Sequence, residues 1–84
     1  MNATKKDFIS LQLASDRRKT DALKKKIQEN IESIQRTAAE MTPDHCYDAT
    51  FIESYAKRIQ DYCNQLRDLD ERIEMLNYMN GLEG

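Results

Sequence analysis

The chain has 84 residues, a formal net charge of −2 and 33% charged residues, with only two glycines and one proline. A chain of this length forms one domain at most, and as a monomer it would bury only about 60–65% of its unfolded surface. There is no apolar run of roughly 18 residues to span a membrane, and the first residues lack the apolar segment of a secretory signal. We therefore expect a cytoplasmic protein whose two cysteines stay reduced.

The charges divide unevenly between the two halves of the chain. Residues 1–36 hold nine Lys/Arg against five Asp/Glu, whereas residues 37–84 hold four against ten. Such a division is typical of a basic surface for nucleic acid, or of two halves whose charges face each other. We prefer the second interpretation, which an antiparallel arrangement of the halves would satisfy.

The first predicted helix covers about residues 4–41, and Leu23 flanks its apolar face. The residues of that face recur every three or four positions: Ile27, Ile31, Ile34, Ala38 and Met41. Residues 15–21 are wholly polar, so either one continuous helix has an exposed middle or the helix is broken near residues 15–20. Because residues 1–41 contain neither Gly nor Pro, the continuous form is favoured.

A turn is predicted at residues 42–49, around the only proline, Pro43. Thr50 followed by Glu53 matches a capping box, so we expect the second helix to begin at Thr50; a start near Pro43 is the alternative. Gly81 suits the left-handed position that follows many helices. The second helix is accordingly predicted at about residues 50–80.

The second helix carries an unbroken heptad seam, a line of apolar residues three and four positions apart: Ile52, Tyr55, Ile59, Tyr62, Leu66, Leu69, Ile73 and Leu76. A short connection makes consecutive helices antiparallel. The predicted fold is therefore an all-α, coiled-coil-like helical hairpin in a single domain. Since each helix shields only one stripe of the other, we expect dimerisation into a four-helix bundle or docking on a larger partner.

The seam also supplies the predicted partner-binding residues: Tyr55, Ile59, Tyr62, Leu66, Leu69, Ile73 and Leu76. They indicate a small non-enzymatic interaction module that binds itself or a larger protein, of the adaptor, chaperone or inhibitor type. Tyr55 and Tyr62 are amphipathic and enriched at strong protein interfaces, although a core role at the seam edge is the commoner one.

Two basic runs suggest an alternative function as a nucleic-acid-binding accessory protein. The residues that could contact nucleic acid or an acidic partner are Arg17, Arg18, Lys19, Lys24, Lys25 and Lys26. No aromatic side chains alternate with them for base stacking, so a solvated face or a strip for an acidic protein is preferred.

Residues suited to catalysis or metal binding are sparse. His45, the only histidine, lies near Cys46 and Asp48, but a structural zinc site needs four ligands in paired spacing. Cys63 lies far along a helix and is expected to be a small buried residue. Neither glycine belongs to a phosphate-binding loop. We expect no enzymatic activity, no metal and no cofactor.

The turn and the residues after it resemble type III secretion needle subunits, small helical hairpins whose needle chaperones are also hairpins. The resemblance covers about residues 27–76 and depends on a turn proline, an apolar pair and two tyrosines seven residues apart: Pro43, Phe51, Ile52, Tyr55, Ile59 and Tyr62. It implies, as a further alternative, a protein that polymerises into a secretion filament or escorts one.

Overall fold

The computed structural model describes residues 4–83, with the side chains of residues 5 and 7–82. Helix α1 covers Thr4–Glu40 and helix α2 covers Ala49–Glu83. Asp16 of α1 contacts Arg72 of α2, and Lys26 contacts Tyr62, so the helices run antiparallel. The predicted all-α helical hairpin is thus confirmed. The described part of the chain extends over 68 × 15 × 13 Å between Cα atoms.

Helix α1 is continuous through its polar middle, and that middle is not exposed. Asp16 is fully buried, with 0% of its surface accessible, and Thr20 is 8% accessible. The expectation of an exposed middle was wrong because both residues fall on the helix face that α2 covers. From Ile9 to the residue that follows the helix, that face keeps a heptad spacing: Ile9, Leu13, Asp16, Thr20, Leu23, Ile27, Asn30, Ile34, Thr37 and Met41.

The buried face of α1 also differs from the prediction at its turn-proximal end. Leu23 is a buried member of the face and not a flanking residue. Asn30 and Thr37 lie at the positions that had been assigned to Ile31 and Ala38; Ile31 is half-buried beside the face and Ala38 is exposed. Short polar side chains are accommodated here because this part of the interface is only half-buried.

Helix α2 presents its predicted seam to α1. All eight seam residues from Ile52 to Leu76 are half-buried, and Asn80 continues the same spacing. The residues between them are exposed. The heptad pattern therefore describes the contact between the two helices of one chain.

The connection between the helices is a tight turn at Thr42, Pro43, Asp44 and His45. The Thr42 N–H donates to the His45 carbonyl at 3.2 Å, and the His45 N–H donates to the Thr42 carbonyl at 2.9 Å. The Thr42 hydroxyl oxygen also accepts from the His45 N–H at 3.2 Å. Pro43 fits the turn because its φ is already fixed near −65°.

Helix α2 begins before the predicted capping residue. The Asp48 carbonyl accepts from the N–H groups of Phe51 and Ile52, so Asp48 precedes the first helical residue, Ala49. The Thr50 hydroxyl donates to the Tyr47 carbonyl at 3.2 Å, which is not the capping arrangement predicted for it. The capping box was wrong because Thr50 already lies inside the helix.

Helix α2 also continues beyond its predicted end at Asn80. Gly81 is helical, and no described glycine has a positive φ, so the predicted left-handed cap is wrong. Leu82, which such a cap would bury, is 71% exposed. Glycine permits the left-handed conformation without requiring it, and here the helical conformation prevails.

Replacing Gly81 with alanine is expected to raise the free energy of unfolding by about 0.5–1 kcal/mol, because alanine loses less backbone entropy in a helix. No atom lies within 4 Å of the position that the added Cβ would take. Urea unfolding followed by circular dichroism would measure the change. A loss of stability would instead indicate a left-handed Gly81.

Candidate functional site

The predicted partner-binding residues of α2 lie together on one face, and that face contacts α1. Tyr55, Ile59, Tyr62, Leu66, Leu69, Ile73 and Leu76 are all half-buried in the hairpin. Lys26 Nζ lies 5.7 Å from the centre of the Tyr62 ring, and Arg58 Cζ lies 5.7 Å from the centre of the Tyr55 ring. These cations cover rings at the edge of the seam and stabilise them by cation–π attraction.

A polar cluster lies in the interface between the helices, and we name it the Asp16 cluster: Gln12, Asp16, Thr20 and Arg72. Gln12 Nε2 donates to Asp16 Oδ1 at 3.0 Å, and Arg72 Nε lies 2.9 Å from Asp16 Oδ2. The Arg72 contact is an ion pair whose N–H is not aligned with the oxygen for a hydrogen bond. The Thr20 hydroxyl donates to the Asp16 carbonyl at 3.0 Å.

The Asp16 cluster constrains how the two helices align. A buried carboxylate without a cation costs several kcal/mol, so registers that separate Asp16 from Arg72 are disfavoured. Sliding one helix by a heptad would remove this pair while leaving many apolar contacts in place. The cluster therefore favours one register over its neighbours, as single polar residues do in coiled coils.

Large apolar side chains are exposed at the open end of the hairpin, where α1 begins and α2 ends. We call this set the open-end patch; its residues are between 39% and 71% exposed: Phe8, Leu11, Met75, Tyr78, Met79 and Leu82. Two further exposed aromatic residues, Tyr47 and Phe51, lie near the turn. A weak sequence signal indicates the patch, since its α2 residues recur at helical spacing beside the seam.

A groove with a volume of about 410 Å³ follows one side of the interface. When the seven heptad positions are lettered a to g with Thr20 and Leu66 as a, Leu23 and Leu69 are d positions, and both line the groove. The other lining residues are at g and c positions of the two helices: Lys19, Ala22, Lys26, Gln65 and Asp68. The g and c positions of the two helices therefore share one side of the hairpin, which we call the groove face. The b and e positions form the opposite side, the cysteine face, where Cys63 lies.

The six basic residues predicted for nucleic acid or an acidic partner are all exposed: Arg17, Arg18, Lys19, Lys24, Lys25 and Lys26. They cover the outer surface of α1 over two successive heptads. Among the side chains that the structure describes, none of the six forms an ion pair with a carboxylate of α2. Arg18 and Lys25 are at the outermost positions of α1, whereas Lys19 and Lys26 line the groove beside α2. The antiparallel arrangement on which the expectation of facing charges depended is present, without a direct ion pair between these cations and α2.

The turn residues do not form a catalytic or metal-binding arrangement in the described part of the chain. His45, Cys46 and Asp48 are all exposed. No group of three or more His, Cys, Asp or Glu residues between positions 4 and 83 could hold a metal ion. Cys63 was expected to be buried, but it is exposed, because it lies beside the seam and not in it.

Comparison with protein-family models found no match, and comparisons with curated proteins and with solved structures found no significant match. No helix within residues 4–83 is long and apolar enough to cross a membrane. The fold places the chain among small all-α helical hairpins. Its distinguishing features are the Asp16 cluster, the open-end patch and the basic outer surface of α1.

Proposed function

We propose that the protein is a small non-enzymatic protein–protein interaction module of the adaptor, chaperone or inhibitor type. The observation that carries this proposal is the open-end patch. Four of its six large apolar side chains, Phe8, Met75, Met79 and Leu82, lie on one side of the hairpin and present on the order of 400 Å² of apolar surface. This lies within the roughly 300–600 Å² of the largest patch on a typical monomeric protein, and such patches are often functional.

The geometry of the hairpin supports binding by shape. The Asp16 cluster holds the helices in one register, so the patch residues keep fixed relative positions when a partner approaches. A pre-organised surface loses less conformational freedom on binding. The predicted partner-binding residues of α2 would contribute through their exposed edges, since their centres pack on α1.

A photo-crosslinking residue placed at Met75, in the cells that make the protein, tests this proposal. We expect an adduct with one defined protein, or with a second copy of the chain. The matched control is the same residue at Gln60, which is exposed on the cysteine face. The proposal fails if Met75 gives no protein adduct, or if Gln60 gives the same products at the same yield.

Binding to nucleic acid is a second candidate, favoured by the six exposed cations of α1 that form no ion pair with α2. Binding of this kind releases counterions, so its affinity would fall steeply with salt. Fluorescence anisotropy with labelled DNA and RNA, at two salt concentrations, measures this. Replacing Arg18 and Lys25 with glutamate should abolish such binding; no binding at low salt would eliminate the candidate.

A role in a secretion filament, as a subunit or as its chaperone, is the third candidate. Head-to-tail polymers need two different complementary surfaces on each copy. The hairpin exposes apolar residues at both ends, the open-end patch at one and Phe51 at the other. Light scattering coupled to size exclusion would show masses that grow with concentration; a single fixed mass would exclude a polymer.

A further inference from the structure

The large apolar side chains that are exposed in the described part of the hairpin lie on particular sides. Five of the eight are at g or c positions on the groove face: Phe8, Phe51, Met75, Met79 and Leu82. Leu11 and Tyr78 are at the outermost position, and Tyr47 is in the turn. None of the eight is at a b or e position. The groove face is therefore the side of the described hairpin that gains most from being covered.

The groove face is also large enough for a stable interface. It runs the length of a body that measures 68 Å by 15 Å between Cα atoms, a footprint of about 1,000 Å². A standard specific interface needs about 800 Å² from each partner. In the middle of the face, Ala22 leaves the groove open between Lys19 and Lys26, so a second surface could approach closely.

The charges on the groove face indicate which partner fits it. Lys19 and Lys26 lie on its α1 side, whereas Asp61 and Asp68 lie on its α2 side. Lys26 lies over Tyr62, so the antiparallel pairing places Lys26 and Asp61 at about the same height, meaning the same level along the long axis of the hairpin. By the same pairing, Lys19 lies at about the height of Asp68. Arg58 and Arg72 are also at g positions of the α2 edge, so that edge is not uniformly acidic, and Glu29 of the α1 edge lies at about the height of Arg58. Residues of opposite charge on the two edges therefore lie at matching heights in three places.

A two-fold axis parallel to the hairpin makes this face complementary to itself. Such an axis places α1 of one copy over α2 of the other with the same ends together. Lys19 then lies opposite the second copy's Asp68, and Phe8 lies opposite its Met79. A two-fold axis perpendicular to the long axis of the hairpin would instead place α1 of one copy over α1 of the other. That arrangement would bring Lys19 near the second copy's Lys26 and would separate the apolar ends of the two copies.

We infer that a second copy of this chain covers the groove face, with its two-fold axis along the hairpin, to form an antiparallel four-helix bundle. The inference rests on the proposed function and specifies its partner. Neighbouring helices in the bundle are all antiparallel, as in up-and-down bundles. Each copy contributes both edges of the interface, so every contact occurs twice.

The first test is the mass of the pure protein in solution, by sedimentation equilibrium. We expect twice the 9.9 kDa chain mass. Replacing Met75 with glutamate should weaken the dimer at least tenfold, because it places a charge in the apolar part of the groove face. Replacing Gln60 with glutamate on the cysteine face is the control and should leave the mass unchanged. Circular dichroism would verify that both variants remain helical.

The second test distinguishes contacts between copies from contacts within one copy. Lys19→Glu and Asp68→Lys should each weaken the dimer, because like charges then face each other across the interface. Mixing the two variants should restore a heterodimer, since every glutamate then faces a lysine. Failure of the mixture to associate would overturn the two-fold axis along the hairpin.

The outcomes separate this inference from the proposed function. A monomer of 9.9 kDa at high concentration, together with a foreign adduct at Met75, would overturn the dimer and leave the interaction module intact. A monomer with no adduct would overturn both. A dimer that Met75→Glu leaves unchanged would show that another face is used.

Discussion

Replacing Arg72 with methionine is expected to lower the free energy of unfolding by about 2–4 kcal/mol. The fully buried Asp16 carboxylate would then keep the hydrogen bond from Gln12 and lose its cation. Methionine retains most of the length of the arginine stem, so little packing is lost. The Arg72 side chain is 47% exposed, so screening by water favours the lower part of this range. Urea unfolding followed by circular dichroism provides the measurement.

Two further variants make the Arg72 prediction specific. Arg67→Met alters an exposed arginine of the same helix and should change stability by no more than about 0.5 kcal/mol. Combining Asp16→Leu with Arg72→Met should recover most of the loss, since an apolar pair of similar volume can replace a buried ion pair. Equal stability of the Arg72→Met and Arg67→Met variants would contradict the role assigned to the cluster.

Replacing Leu66 with aspartate is expected to unfold the hairpin or to leave it only marginally helical. Leu66 is a central member of the α2 seam and is half-buried against α1. The substitution removes apolar burial and places a charge in the interface, a combined cost of about 3–5 kcal/mol. Small domains have a low free energy of unfolding, so this cost approaches the whole stability of the hairpin. Circular dichroism at 25 °C would show the loss of helix.

Asn64→Asp is the matched control for Leu66→Asp. It adds the same charge two residues away, at an exposed position, and should leave the helical signal unchanged. If Leu66→Asp kept its helicity and its mass in solution, the seam would not be the interface that holds the hairpin closed.

The contact face of α2 was predicted well from the sequence because the seam consists of apolar residues. Ile59, Leu66 and Ile73 recur at a spacing that only a helix can place on one face. The turn was also predictable, since one proline separates two long segments without glycine. The contact between the helices followed from these two observations, because a short connection leaves few arrangements open.

The buried face of α1 was harder to predict because polar residues occupy part of it. Asp16 and Thr20 continue the spacing of Ile9, Leu13 and Leu23, but polarity alone marks them as exposed. The burial of Asp16 depends on Arg72, which is 56 residues further along the chain and becomes a neighbour only after folding. Extending the heptad through the polar run would have found both positions; no local signal identifies the partner.

Capping signals and small side chains were the least informative features. Gly81 and Thr50 permit helix boundaries that the chain does not use, because each residue is also compatible with the helix interior. Cys63 is exposed because it directly follows the seam residue Tyr62, and successive residues of a helix point to different sides. The open-end patch was visible only as a widened apolar face, and the sides of the hairpin emerged once both helices were in place.

Burial along the hairpin is uneven. Among the side chains of α1 that the structure describes, those that are buried lie between Ile9 and Leu23, toward the open end, whereas residues 42–51 are all exposed. The helices therefore associate most strongly in the half of the molecule farthest from their covalent link. The connecting segment acts chiefly as a tether that raises the effective concentration of one helix around the other, and a break in it would leave the principal interface intact.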